Sequence, residues 1–135
     1  MGNFKHFTSI QIRFADMDAL GHVNNANHLS YIELARIRFF TEVVGENINW
    51  SKKGIILANT HVDYASPIVL SDELVVGTRC SKLGNKSFTL EYELRSIAKG
   101  KERLLATAST VLVCYDYEKA LPMTMPDAWR DKLKV

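Results

Sequence analysis

Asn27-His28-Leu29-Ser30-Tyr31-Ile32-Glu33-Leu34-Ala35-Arg36-Ile37-Arg38-Phe39-Phe40-Thr41-Glu42-Val43-Val44 reads as one long helix. At about 100° per residue, Leu29, Ile32, Ala35, Phe39, Phe40 and Val43 fall on one broad apolar face. Asn27 or a neighbour can cap the start, and Gly45 supplies a left-handed stop. Glu33 and Arg36 fall inside the stripe, three residues apart. Buried charges are expensive unless paired, so both are expected to have partners.

Working outward, Thr8 to Phe14 alternates as a short strand, and the polar run from Ala15 to Asn27 reads as loop. After an irregular piece around Trp50 to Gly54, the rest is mostly strand-like. Ile55 to Tyr64, Leu74 to Ser81 and Leu104 to Tyr117 are three apolar strands. Between them, Phe88, Leu90, Tyr92 and Leu94 alternate with Thr89, Glu91, Glu93 and Arg95, the mark of a half-buried antiparallel strand. Gly84-Asn85 and Gly100 make the turns, and Asp127 to Leu133 can close the chain as a short amphipathic helix. Short connections favour antiparallel pairing. A sheet with one apolar face and a helix with a wide one must bury against each other. The expectation is an α+β domain of order β-α-β-β-β-β, spanning residues 1–135, with the sheet wrapped on one helix.

A chain of 135 residues with 47% hydrophobic residues suits one such core. Its small size leaves little surplus stability, so an oligomer is in keeping. The formal net charge of +2 is far from the basic balance of a nucleic-acid binder. Cys80 and Cys114 form neither a disulfide framework nor a zinc pattern and are expected to be buried, inert thiols. Met1-Gly2-Asn3-Phe4-Lys5-His6 lacks a signal-peptide core, and no apolar run reaches the length of a membrane span. A cytoplasmic protein without a membrane partner is expected.

The densest polar segment is Asp16-Met17-Asp18-Ala19-Leu20-Gly21-His22-Val23-Asn24-Asn25-Ala26-Asn27-His28, between the first strand and the helix. A helix N-terminus presents unpaired N–H groups and a positive dipole end, which suit a developing oxyanion. A carboxylate just upstream can activate water or attack a carbonyl. Asp18 as base or nucleophile and the N–H near Asn25 as oxyanion donor therefore suit acyl transfer. The plainer alternative is that Asp16 and Asp18 structure a turn and cap the helix. Asp16, Asp18, His22 and His28 are potential metal ligands, but their spacing matches no coordination motif, and no metal or cofactor is expected. His22 can orient the loop, and His28 at the helix start is expected to be exposed. There is no Gly-x-Ser-x-Gly elbow and no phosphate-binding glycine loop. Lys86 can meet a phosphate, and Ser87 can hydrogen-bond that phosphate or a pantetheine amide; an exposed hairpin turn explains them equally well.

Together, Phe14-Ala15-Asp16-Met17-Asp18-Ala19-Leu20-Gly21-His22-Val23-Asn24-Asn25 and Tyr31-Ile32-Glu33-Leu34-Ala35-Arg36 resemble the acyl-CoA thioesterases related to 4-hydroxybenzoyl-CoA thioesterase. Tyr64-Ala65-Ser66-Pro67 and Gly84-Asn85-Lys86-Ser87 also fall where that family has similar elements, so the likeness spans about residues 8 to 117. The resemblance implies a hot-dog fold, a five-stranded antiparallel sheet around one long central helix. It implies homo-oligomers, dimers often paired into tetramers, with sites at the subunit interface. It implies Asp18 as the catalytic carboxylate and the Asn25 N–H against the thioester carbonyl of an acyl-CoA. His22, Asn24, Tyr31, Lys86 and Ser87 would then bind substrate. Asparagine at 25 resembles the long-chain acyl-CoA branch more than the hydroxybenzoyl branch. Two other readings stay open: a hydratase or dehydratase on the same fold, using His22, and a module that binds acyl-CoA or an acyl-carrier protein without turnover.

Overall fold

The computed structural model describes residues 3–45 and 51–134. Six strands and two α-helices follow in the order β1 (His6–Ile10), α1 (Asn27–Phe39), β2 (Lys53–Tyr64), β3 (Leu74–Leu83), β4 (Ser87–Ser96), β5 (Arg103–Asp116), β6 (Leu121–Pro122) and α2 (Asp127–Leu133). The five long strands form one antiparallel sheet in the order β1-β3-β4-β5-β2, and the short β6 adds to β5. This curled sheet around one long helix is the α+β hot-dog fold.

β4 decides which face is the core. Phe88, Leu90, Tyr92 and Leu94 are buried while the residues between them are half-buried. The inner face of β5 continues the layer through Ala106, Ala108, Thr110, Leu112 and Cys114. Tyr92 Oη and Thr110 Oγ1, 2.7 Å apart, satisfy each other inside it. At one end Phe40 stacks on Phe88 and meets the Trp129 ring edge-on, which docks α2.

The helix is rotated from its expected setting. Its buried residues are His28, Tyr31, Ile32, Ala35, Arg36 and Phe39, while Leu29 is 47% exposed. Glu33 points outward and stands 3.8 Å from the nearly buried Arg36, so one charge of the pair lies in the stripe rather than two. The α-helix stops at Phe39 and continues as a wider π-helical turn, Phe40–Gly45, ending on Gly45 with φ +54° as a left-handed stop requires. β1 is shorter than the alternation suggests, and Phe14 is exposed in a 3₁₀ turn. Trp50, in the expected irregular piece, lies outside the described residues, and β2 already begins at Lys53. Cys114 is buried and its thiol pushed up to about 11 by burial, but Cys80 is half-exposed, contrary to expectation. Among the described residues no helix is long and apolar enough to cross a membrane.

β5 carries one irregularity with consequences. Arg95 pairs with Leu104 and Leu94 with Ala106, leaving Leu105 as the extra residue of a bulge. Its carbonyl accepts the N–H groups of both Ala65 and Ser66 at 3.0 Å, pinning the chain just after β2. Leu90→Ala in the inner layer should lower stability by about 2–5 kcal/mol, and Glu33→Gln on the outer helix face by less than about 0.5 kcal/mol. Urea unfolding midpoints of the two variants check both.

Candidate active site

The segment before α1 is built on Asp16. Arg13 donates to its carboxylate from the backbone N–H at 3.0 Å, from Nε at 3.1 Å and from Nη2 at 2.7 Å. The buried Tyr31 hydroxyl donates to Oδ2 at 2.7 Å. The Asp16 carbonyl in turn accepts the Asn24 N–H and Asn27 Nδ2, each at 2.9 Å. Burial pushes the Asp16 pKa up, but the bonds from Arg13 and Tyr31 outweigh it and hold the carboxyl below its ordinary value. Tyr31 is thus an anchor for the loop, with its ring in the core, and does not line the cavity described next.

Asp18 has a different setting. Its Oδ1 accepts the N–H groups of Leu20 at 2.8 Å and His22 at 3.2 Å, while Oδ2 accepts from no described residue. A tight turn from Asp18 to His22 makes this possible: Asp18 N–H donates to the His22 carbonyl at 2.7 Å, and Gly21 takes φ +82°. The carboxylate is held by one oxygen and open at the other.

Asp18, His22, Asn25, His28 and Tyr64 line one cavity of about 340 Å³, closed on its far side by Ala65 to Ile68. That wall is tied to the loop where Val23 N–H donates to the Ile68 carbonyl at 2.8 Å. It is braced from behind by the buried Asp72, which accepts the Val69 N–H at 2.9 Å and pairs with Arg103 at 3.0 Å.

The backbone from His22 to Leu29 is almost fully bonded. His22 N–H goes to Asp18 Oδ1, Val23 to Ile68, Asn24 to Asp16, Ala26 to Asn24 Oδ1, Asn27 to Asn24, His28 to Asn25 and Leu29 to Ala26. The N–H of Asn25 alone in this run has no acceptor among the described residues. Asn25 is exposed and lines the cavity at the start of α1, where backbone N–H groups lack intrahelical acceptors. A carboxylate oxygen and a backbone donor, both uncommitted and in one cavity, suit attack on a carbonyl.

Residues 12–133 match the thioesterase-like superfamily. The chain belongs to that family. It is 36% identical to a thioesterase from Thermus thermophilus whose crystal structure contains coenzyme A and zinc, over 99% of this chain and 95% of that one, with a TM-score of 0.82. The long-chain acyl-CoA thioesterase FadM of Escherichia coli K12 is 27% identical over 130 residues, covering 94% of this chain and 96% of its own. The PA5185 protein of Pseudomonas aeruginosa PAO1 superposes with a TM-score of 0.86 at 27% identity, over 97% of this chain and 90% of that one. With relatives named thioesterases by sequence and by structure, the chain is a thioesterase-family enzyme.

Within this thioesterase-superfamily chain, the residues expected to act together do not all meet. Asn24 accepts the Ala26 N–H through Oδ1 and is not among the residues that line the cavity. Lys86 and Ser87 stand at the other end of β4, where Ser87 pairs with Val113. The cavity wall hangs from Leu105, so the separation is about 26 Å by strand rise. Asp16, Asp18, His22 and His28 do not converge as ligands: among the described residues no three His, Cys, Asp or Glu side chains are grouped to hold a metal ion. His28 is buried at 1% exposure, not exposed as its place at the helix start suggests. Tyr64 donates its hydroxyl to the Asn25 carbonyl at 3.2 Å, a contact that strand periodicity cannot reveal.

Because the folded-state pKa of Asp16 lies below its ordinary value, its stabilisation is present above the usual carboxylate range and lost as pH falls through the lowered pKa. Asp16→Asn should lower stability at neutral pH by about 1–3 kcal/mol, the usual penalty for buried donors losing a charged acceptor. The gap to wild type should close progressively below about pH 4. Urea titrations across a pH series measure it.

Proposed function

We propose that this chain hydrolyses the thioester of an acyl-CoA to a free acid and CoA, with Asp18 as general base or nucleophile and the Asn25 N–H as oxyanion donor. The observation that carries this reading is that one cavity is lined by Asp18, whose carboxylate is fixed among the described residues by Oδ1 alone, and by Asn25, whose N–H has no acceptor among them. The thioester oxygen sits against that N–H and gains charge as the carbonyl carbon is attacked. In one route Asp18 Oδ2 takes a proton from water while the water oxygen bonds the acyl carbon; the C–S bond then breaks and the CoA sulfur leaves with a proton. In the other, Oδ2 itself bonds the acyl carbon and expels CoA, and water cleaves the resulting anhydride. The same open oxygen serves both.

The acyl-CoA substrate is supported by the relatives, one named for long-chain acyl-CoA and one holding coenzyme A. A cleft of about 370 Å³ lined by Ile37, Phe40, Ile55, Leu57 and Leu112, together with Glu33, Arg36 and Thr41, has a mostly apolar wall that suits hydrocarbon.

Two copies pairing along β2 would complete the site. β2 is an edge strand whose residues 56–61 are exposed. Antiparallel pairing about its middle sets the Tyr64 end of one copy beside the Ile55 end of the other. Ile55 pairs with Cys114, and Ser87 with the adjacent Val113. One copy's Lys86 and Ser87 would therefore approach the other's Asp18 cavity, within reach of the CoA phosphates and pantetheine.

Thiol release from short, long and aromatic acyl-CoAs tests the reading. Asp18→Asn should reduce kcat by about 10²–10⁴-fold, and Lys86→Ala should raise KM with kcat unchanged. Absence of release from every member of the panel by folded wild-type protein would sink the proposal.

A further inference from the structure

His28, the second residue of α1, is fully buried, and neither ring nitrogen has a hydrogen-bond partner among the described residues. A phenylalanine or leucine would fill that space without burying two unsatisfied polar atoms. The ring packs edge-on against Tyr64, with centroids 4.8 Å apart at 80°. Tyr64 and the His28 backbone N–H both donate to the Asn25 carbonyl, at 3.2 and 3.3 Å. The imidazole is thus set directly behind the Asn24–Asn25 turn.

Burial pulls the His28 pKa below its ordinary value, against the opposing pull of the Asn24 and Asn25 carbonyls beside it. The side chain is accordingly neutral at pH 7, with one N–H to give. The Asn24 carbonyl and the Asn25 N–H are two ends of one planar peptide, so whatever orients the first orients the second. A hydrogen bond to that carbonyl also polarises the amide and strengthens its N–H as a donor. The Asn27 N–H takes one lone pair of the Asn24 oxygen at 2.8 Å, and a carbonyl oxygen has two.

We infer that His28 is a positioning residue for the Asn25 N–H: its imidazole donates to the Asn24 carbonyl as the thioester oxygen engages the other end of that peptide. It touches no substrate atom. Catalytic hydrogen bonds commonly tighten as substrate engages. The inference rests on the thioesterase reading above and adds to it the residue that aims the oxyanion donor.

His28→Phe keeps a ring against Tyr64 and removes both nitrogens; His28→Asn restores a donor. His28→Phe is expected to lose about tenfold in kcat, less than removal of a direct oxyanion donor, with KM within about twofold. His28→Asn should recover part of the loss. In parallel, the Asn25 amide proton is followed by NMR, free and with a non-hydrolysable thioether analogue of acyl-CoA. Its downfield shift on binding should shrink in His28→Phe and return in His28→Asn. Wild-type kcat and an unaltered Asn25 resonance in His28→Phe would overturn the inference, as would a loss that His28→Asn does not relieve while both variants melt like wild type. If wild-type protein releases no thiol, the thioesterase reading fails on its own. The shift of the Asn25 amide on binding the thioether analogue then still decides the role of His28, which is overturned if His28→Phe leaves that shift unchanged.

Discussion

The carboxylate of Asp16 is where the loop and the helix become one body. It lies 2% exposed, yet its oxygens are occupied by Arg13 on one side and the Tyr31 hydroxyl on the other. A buried negative charge with fewer partners would be unfavourable enough to take up a proton or pull the loop toward water. Its own carbonyl then receives Asn24 and Asn27, so the same residue sets the start of α1. Everything that gives Asp18 and Asn25 their orientations hangs from this knot.

A second anchor acts from the sheet. The Leu105 bulge and the Asp72–Arg103 pair hold residues 65 to 69 against the loop without any contact to Asp18. Cavity shape is therefore shared between two distant parts of the chain, one fixed by a buried charge and the other by an irregular strand. Loops carry chemistry well when rigid elements fix both of their flanks.

Much of this was legible before any coordinates. The alternation from Phe88 to Arg95 names both strand and buried face, because one face packs on α1 and the other does not. β1 stops short of Phe14 because Ile10 lies opposite Leu74, the first residue of β3; beyond that point no described strand pairs with it. β6 is two residues long and contains a proline, so it carries no period to detect. The helix phase departs from its apolar stripe for a related reason. Hydrophobicity ranks Leu29 above His28 and Tyr31, whereas the side covered by the Asp16 loop and Tyr64 takes the latter two. Within the site, Asp18 and the helix start were visible as chemistry at a suitable spacing. The splitting of labour between Asp16 and Asp18, the unpaired Asn25 N–H and the burial of His28 depend on contacts across the fold, which spacing along the chain does not encode.

The strand order also dictates when this molecule can finish folding. β1 pairs with β3, while β2 must wait for β5, the last of the long strands to be synthesised. The bulge carbonyl that secures Ala65 and Ser66 belongs to β5 as well. A growing chain on the ribosome therefore displays an unpaired β2 from the completion of that strand at Tyr64 until β5 follows. Pairings so distant in sequence form slowly, and an open strand edge is the part most exposed to wrong partners meanwhile. The wall formed by Ala65 and Ser66 is secured late, with the emergence of the residues around Leu105.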